Sequence, residues 1–257
     1  MDPNRDGKCV VILQPGYLPW LGFFDLMARA DLFVLLDDVQ YTVRDWRSRN
    51  RVKTPNGVTW LTVPVVSKAA REKQILEVEI DNDRPWQKNH LRTVESFYRK
   101  ASCFGEILEW FRPIYERPYR FLVDVDLDFI FAVRGYLRIE TEVVRSSEVP
   151  STGAKDEKLL SICRYFRATR YLSGNAAQGY LDEKNFLDEG IGVEWHNYAH
   201  PYYGQLWTKH LGFVSHLSVL DLLFNHGRES LPILTGQTVV AVPPGLPVRS
   251  ADEVSGS

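Results

Sequence analysis

The stretch Cys9-Val10-Val11-Ile12-Leu13-Gln14-Pro15-Gly16-Tyr17-Leu18-Pro19-Trp20-Leu21-Gly22-Phe23-Phe24, followed by Leu32-Phe33-Val34-Leu35-Leu36-Asp37-Asp38-Val39-Gln40, decides the fold. Residues 9–13 are a short apolar, β-branched run closed by a Pro/Gly turn, which reads as a buried strand. Residues 21–30 place Phe23, Leu26, Met27 and Ala30 on one helical face. A second apolar run, residues 32–36, stops at two aspartates. Strand, helix and strand in about 30 residues make a βαβ unit, whose crossover sets the two strands parallel. Both strands then end on one edge, where open α/β sheets bind their ligands.

Beyond residue 41 the pattern changes. Residues 50–54 and 59–66 read as strands around Pro55-Asn56-Gly57, a hairpin turn in which glycine supplies positive φ. Residues 75–80 suggest another short strand. From 85 to 115, Leu91, Val94, Phe97 and Tyr98 form one helical stripe and Phe104, Ile107, Leu108 and Phe111 a second. Residues 122–136 also read as helix, because Leu122, Val125, Phe129, Ala132, Val133 and Tyr136 share a face despite Asp124, Asp126 and Asp128. The last third returns to α/β style. A helix capped by Ser151 or Thr152 runs to Phe166, strands fall at 170–172 and 193–198, and a helix at 217–224 is ended by Asn225-His226-Gly227. The expected architecture is a single α/β domain over residues 1–235, with a mainly parallel sheet, a βαβ start, a β-hairpin and a helical insertion at about 85–136. A flexible C-terminal tail is expected at 236–257.

The 257 residues carry 31 Lys+Arg against 33 Asp+Glu, a net charge of -2, which argues against nucleic acid or an acidic membrane as partner. With 44% apolar and 12% aromatic residues, general disorder is excluded. No stretch is apolar for the length of a membrane span, and the first residues lack the basic and apolar regions of a secretory leader. A cytoplasmic protein without membrane insertion is expected. Cys9, Cys103 and Cys163 are too far apart for a zinc site, and His196 and His200, four apart before Pro201, fit a strand and turn better than a metal-binding helix. No metal site is expected.

Gln14, Tyr17 and Trp20 in the first loop and Asp37, Asp38 and Gln40 in the second are therefore candidate site residues. One aspartate can hold Mg²⁺, orient a sugar hydroxyl or take a proton as general base, or simply cap the next turn. Nothing in the sequence separates Asp37 from Asp38. Arg44, Arg47, Arg49, Arg51 and Lys53 crowd around Trp46 with only Asp45 in opposition. That density suits a phosphate or diphosphate, since guanidinium forks make bidentate charge-assisted bonds; an exposed basic hairpin has the same composition. Residues 173–179, with Gly174, Gln178 and Gly179, offer a backbone anion cradle without a dinucleotide or P-loop fingerprint. His90 is a candidate acid/base in the helical segment.

Several ordered blocks closely resemble the WbqC-like family. They are residues 14–24, Ala30-Asp31-Leu32-Phe33-Val34, Asp37-Asp38-Val39-Gln40-Tyr41, Arg49-Asn50-Arg51, Leu61-Thr62-Val63-Pro64, Trp86 with His90, Gly174 with Gln178-Gly179, and Leu217-Ser218-Val219-Leu220-Asp221 ending at Gly227. Leu13 is a departure, since some relatives place His or Met there. The resemblance implies a bacterial transferase of O-antigen or other surface-polysaccharide biosynthesis that attaches glycine or another acyl group to an amino sugar. Amide formation from a free acid is uphill in water, so the donor has to arrive activated. ATP with Mg²⁺, or a ready-made acyl donor, is the implied cofactor, and a nucleotide-sugar or other phosphorylated small molecule the implied partner. On this reading Asp37, Asp38 and His90 are catalytic, while Gln14, Tyr17, Trp20, Gln40, Arg44, Arg49, Asn50, Arg51, Gly174, Gln178 and Gly179 bind substrate. Two alternatives stand beside it: a non-catalytic sugar-nucleotide or glycan-binding module, and an adenylyl- or nucleotidyltransferase, although the HxGH signature of the latter is absent.

Overall fold

The computed structural model describes residues 7–66 and 70–254. In chain order the elements are β1 (Cys9–Leu13), α1 (Leu21–Arg29), β2 (Leu32–Leu35), β3 (Arg49–Thr54), β4 (Gly57–Thr62), α2 (Trp86–Tyr98), α3 (Phe104–Tyr115) and α4 (Leu122–Leu137). They continue with β5 (Glu142–Arg145), α5 (Asp156–Tyr165), β6 (Arg170–Gly174), α6 (Glu183–Asp188), β7 (Gly192–His196), α7 (Thr208–Leu211), β8 (Phe213–Ser215), α8 (Val219–His226), α9 (Ser230–Leu234), β9 (Val248–Ser250) and α10 (Ala251–Val254). Contacts divide the chain into two compact units. The first comprises the described residues up to Gln14, Asp25–Val39 and Ile139–Ala199; the second comprises Pro15–Phe24, Gln40–Arg138 and the described residues from His200 on.

The first unit is built on a parallel sheet of order β5-β2-β1-β6-β7. The chain runs outward from β1 through β2 to β5, then places β6 and β7 on the other side of β1. The order therefore reverses between β1 and β6, the pattern of a doubly wound α/β sheet. β2 is buried at every position, as continuous apolar runs are in sheets covered on both faces. Val10, Ile12, Leu32, Val34, Ile162, Cys163, Tyr171 and Phe186 belong to one core. The edge strand β5 has only two apolar residues, Val143 and Val144, and went unanticipated for that reason. Neither Ser151 nor Thr152 caps α5: Gly153 (φ +82°) and Lys155 (φ +52°) intervene, and the Thr152 amide donates to Ser161 Oγ instead.

In the second unit β3 and β4 form an antiparallel hairpin in register from Arg49↔Thr62 to Thr54↔Gly57. Gly57 has φ +132°, which only glycine adopts without strain. β4 stops at Thr62 rather than Val66, because Pro64 cannot donate to a ladder. The strand expected at 75–80 is instead a 3₁₀ turn, Ile75–Glu77, held by the Gln74 amide donating to Glu77 Oε2, with Ile80 making a single bridge to Val65. The helical stretch is as read, and α4 keeps its helix across the aspartates. Ser218 caps α8, its hydroxyl accepting from the Leu220 amide. Near the end of the described residues β9 pairs with β8, and Ala251 is buried with Val214 and Leu217.

Candidate functional site

At the carboxyl edge of the parallel sheet, Gln14 follows β1, Asp37 and Asp38 follow β2, and Gly174 ends β6. The Leu36 amide donates to Leu13 O (2.9 Å), so the first two of these loops leave the sheet side by side. Asp37 is fully buried and accepts from Arg145 Nε (2.6 Å), Ser147 N (3.0 Å) and Ser147 Oγ (3.0 Å). Asp38, partly exposed, accepts from Lys158 Nζ (2.6 Å) and from Ser146 Oγ. The Ser146 hydroxyl also accepts from the Asp37 amide (3.1 Å), tying the two aspartates together. The geometry separates the pair: Asp37 is a fixed girder, whereas Asp38 sits beside a lysine. Cations and hydroxyls already occupy both carboxylates, so the pair does not fit Mg²⁺. Among the described residues no group of three or more His, Cys, Asp or Glu is arranged to hold a metal.

Lys158, Arg145, Ser146 and Ser147 escaped the sequence reading because they lie more than a hundred residues from the aspartates they serve. The one local signal was Arg145-Ser146-Ser147 directly after Val143-Val144, a polar cluster at a strand end. Gly174 begins the 3₁₀ turn Asn175–Gly179; Gln178 and Gly179 lie in that turn and are exposed, and a Cβ on Gly174 or Gly179 would meet open space. At the next strand end His196 is buried, its Nε2 2.6 Å from Asp25 Oδ2, which also takes Arg29 Nε.

The remaining candidates belong to the second unit. Tyr17 is fully buried; its hydroxyl contacts His90 Nδ1 (2.9 Å) and the Tyr115 hydroxyl. Burial pushes the Tyr17 and Tyr115 phenols up and the His90 imidazole down to about 4, so all three are neutral near pH 7. Asp126 on α4 is fully buried with neither oxygen hydrogen-bonded, and burial raises its carboxyl well above the usual range. Asn50 is spent on structure, donating to Leu18 O (2.7 Å) and accepting from the Arg51 amide. Gln40 donates to Arg71 O, and Trp20 stacks on His216. Arg44 is exposed at φ +58°, and its carbonyl accepts from Arg49 Nη2. Arg49 and Arg51 lie over Trp60, with Cζ 4.2 and 5.1 Å from the ring centroid, and Arg51 also faces Trp46 at 5.0 Å. Trp60 was not singled out from the sequence; alternation on β4, three residues past the turn, was its signal.

These features define an α/β protein with a doubly wound parallel sheet, a polar strand-end cluster and, in its second unit, an arginine–tryptophan hairpin. The WbqC-like protein family profile matches residues 14–233, and the chain belongs to that family. It is 42% identical over 225 residues, 87% of this chain and 96% of the relative, to "Uncharacterized protein Rv1507c" of Mycobacterium tuberculosis. No solved structure matches. Among the described residues no helix is long and apolar enough to cross a membrane.

Proposed function

We infer that the chain is an enzyme of bacterial surface-glycan or amino-sugar biosynthesis that transfers an activated acyl or aminoacyl group to a nucleotide-linked amino sugar. The observation that carries this reading is the polar cluster of Asp38, Lys158 and Ser146 at the edge of a sheet whose strand order reverses between β1 and β6, where such sheets bind small molecules. Family membership supports it. In the step itself the acceptor ammonium loses one proton to the base, the freed amine attacks the donor carbonyl, and the donor's leaving group departs with the bonding electron pair while the nitrogen gives up its second proton to solvent. Asp38 is the base on this reading and Asp37 a positioning residue, since three donors already engage Asp37. Lys158 beside Asp38 steadies the negative charge that forms on the carbonyl oxygen. Gln14 and Gly174–Gly179 line the nucleotide on this reading.

The test is incubation with a nucleotide-linked amino sugar and an acyl adenylate or thioester, followed by mass spectrometry of the sugar. A mass gain of one acyl group, lost in Asp38→Asn with folding intact, supports the reading; no gain with any activated donor removes it. The saturation of Asp37 favours a second reading, a non-catalytic binding module. In that case the nucleotide-sugar binds, nothing turns over, and Asp38→Asn leaves binding unchanged.

A further inference from the structure

In the second unit two guanidinium groups share one indole ring. Arg49 and Arg51 both lie over Trp60, and like charges at this spacing repel unless a counter-charge is close. Arg51 is 1% exposed, and its ion-pair partner is Asp252 Oδ1 on α10, at 2.5 Å. The Asp252 side chain itself is 79% exposed. Among the described residues no carboxylate pairs with Arg49, and the Nε atoms of both arginines are buried without a hydrogen-bond partner. One carboxylate thus stands against two guanidiniums with two unused donors. A phosphate supplies what is missing, a second negative charge and further acceptor oxygens in a geometry that guanidinium forks match. Trp46 and Trp60, 42% and 37% exposed with ring centroids 5.5 Å apart, offer indole surface to a ring carried by that phosphate.

We propose that Arg49, Arg51, Trp46 and Trp60 form a site for a phosphate or diphosphate group, and that Asp252 is its built-in occupant, displaced when the ligand binds. The strap that carries Asp252 is short. β9 pairs with β8 over three residues, and α10 is one turn closed by reciprocal bonds between Ser250 and Glu253. Ala251 and Val254 seat it against Val58, Val214 and Leu217. Gly57 lets it approach, since a Cβ there would lie 3.2 Å from Val254 O. The four site residues fall within the segment matched by the family profile, whereas Asp252 falls outside it. The occupant is therefore separate from the family-wide segment that carries the site. The proposal rests on reading the hairpin as phosphate-binding and needs no transfer reaction.

The test is calorimetric titration of inorganic pyrophosphate into the full chain and its Asp252→Asn and Arg49→Gln variants, together with amide hydrogen exchange of residues 248–254 in the unaltered protein. Freeing the guanidinium from an exposed carboxylate tightens binding about five-fold in Asp252→Asn. Loss of a charge-assisted fork weakens it about ten-fold or more in Arg49→Gln. Pyrophosphate accelerates exchange in 248–254. Equal affinities for Asp252→Asn and the unaltered protein, with exchange unmoved, overturn displacement and leave the phosphate reading standing. Pyrophosphate that binds neither protein overturns both. Should Asp252→Asn not fold, the exchange measurement decides alone.

Discussion

The strand-end cluster of the first unit and the arginine hairpin of the second treat buried charge in opposite ways. Around Asp37 the accounting is complete: Arg145 and Ser147 aim three donors at one carboxylate, and Ser146 links it to Asp38. Around Arg51 it is incomplete, with two buried Nε donors unused and a single exposed carboxylate opposite two guanidiniums. A fully partnered buried charge resists removal but has little left for a ligand, whereas unused donors are costly in isolation and become useful when a ligand arrives. The contrast separates residues that hold the molecule from residues that recognise something.

The largest effect expected from that contrast is on stability. Asp37→Ala strands Arg145 and Ser147 without their acceptor and costs about 3–5 kcal/mol in urea unfolding, as loss of one partner of a buried ion pair does. A cost near zero would erase the distinction. Next comes acid sensitivity in the second unit. The His90 imidazole, pushed down to about 4 by burial, refuses a proton that the unfolded chain accepts at about 6.5. Its contribution is therefore complete above that unfolded value and is lost as pH falls toward 4, on the order of 3 kcal/mol over the window. His200, also lowered to about 4, acts in the same direction. Chemical denaturation at a series of pH values checks this, and His90→Gln flattens the slope. Trp46→Ala is expected to leave stability within about 0.5 kcal/mol, because the ring is exposed, while weakening binding of a nucleoside diphosphate about five-fold in a calorimetric titration. Gly174→Ala is the mildest. Its backbone, at φ -70°, accepts a side chain and the Cβ meets open space, so thermal unfolding shifts by less than about 0.5 kcal/mol. A loss of nucleotide-sugar affinity without a loss of stability would assign the turn to the ligand.

Local pattern made the βαβ start, the hairpin turn and α4 legible. Each depends on neighbours within one or two turns: the apolar runs at 9–13 and 32–36, Asn56-Gly57, and the stripe from Leu122 to Tyr136. The partners of those elements were not legible. Lys158 and Arg145 look like ordinary surface cations until the sheet brings α5 and β5 to the β2 end. Asp252 lies in a Gly/Pro-rich stretch that reads as a tail, and only its pairing with Phe213–Ser215 gives it a place. Asp126 read as one of three polar interruptions, yet it lies three residues before Phe129 and four before Ile130, on the buried side of α4. The arginine run was visible as a run; that two of its members share an indole depends on the β3–β4 register.

The most direct test of the contrast is calorimetric binding of inorganic pyrophosphate to Arg49→Gln and to Asp37→Asn, each checked for folding. Arg49→Gln is expected to lose about ten-fold or more in affinity and Asp37→Asn to bind as the unaltered protein does. Full affinity in Arg49→Gln with binding lost in a folded Asp37→Asn would contradict the account.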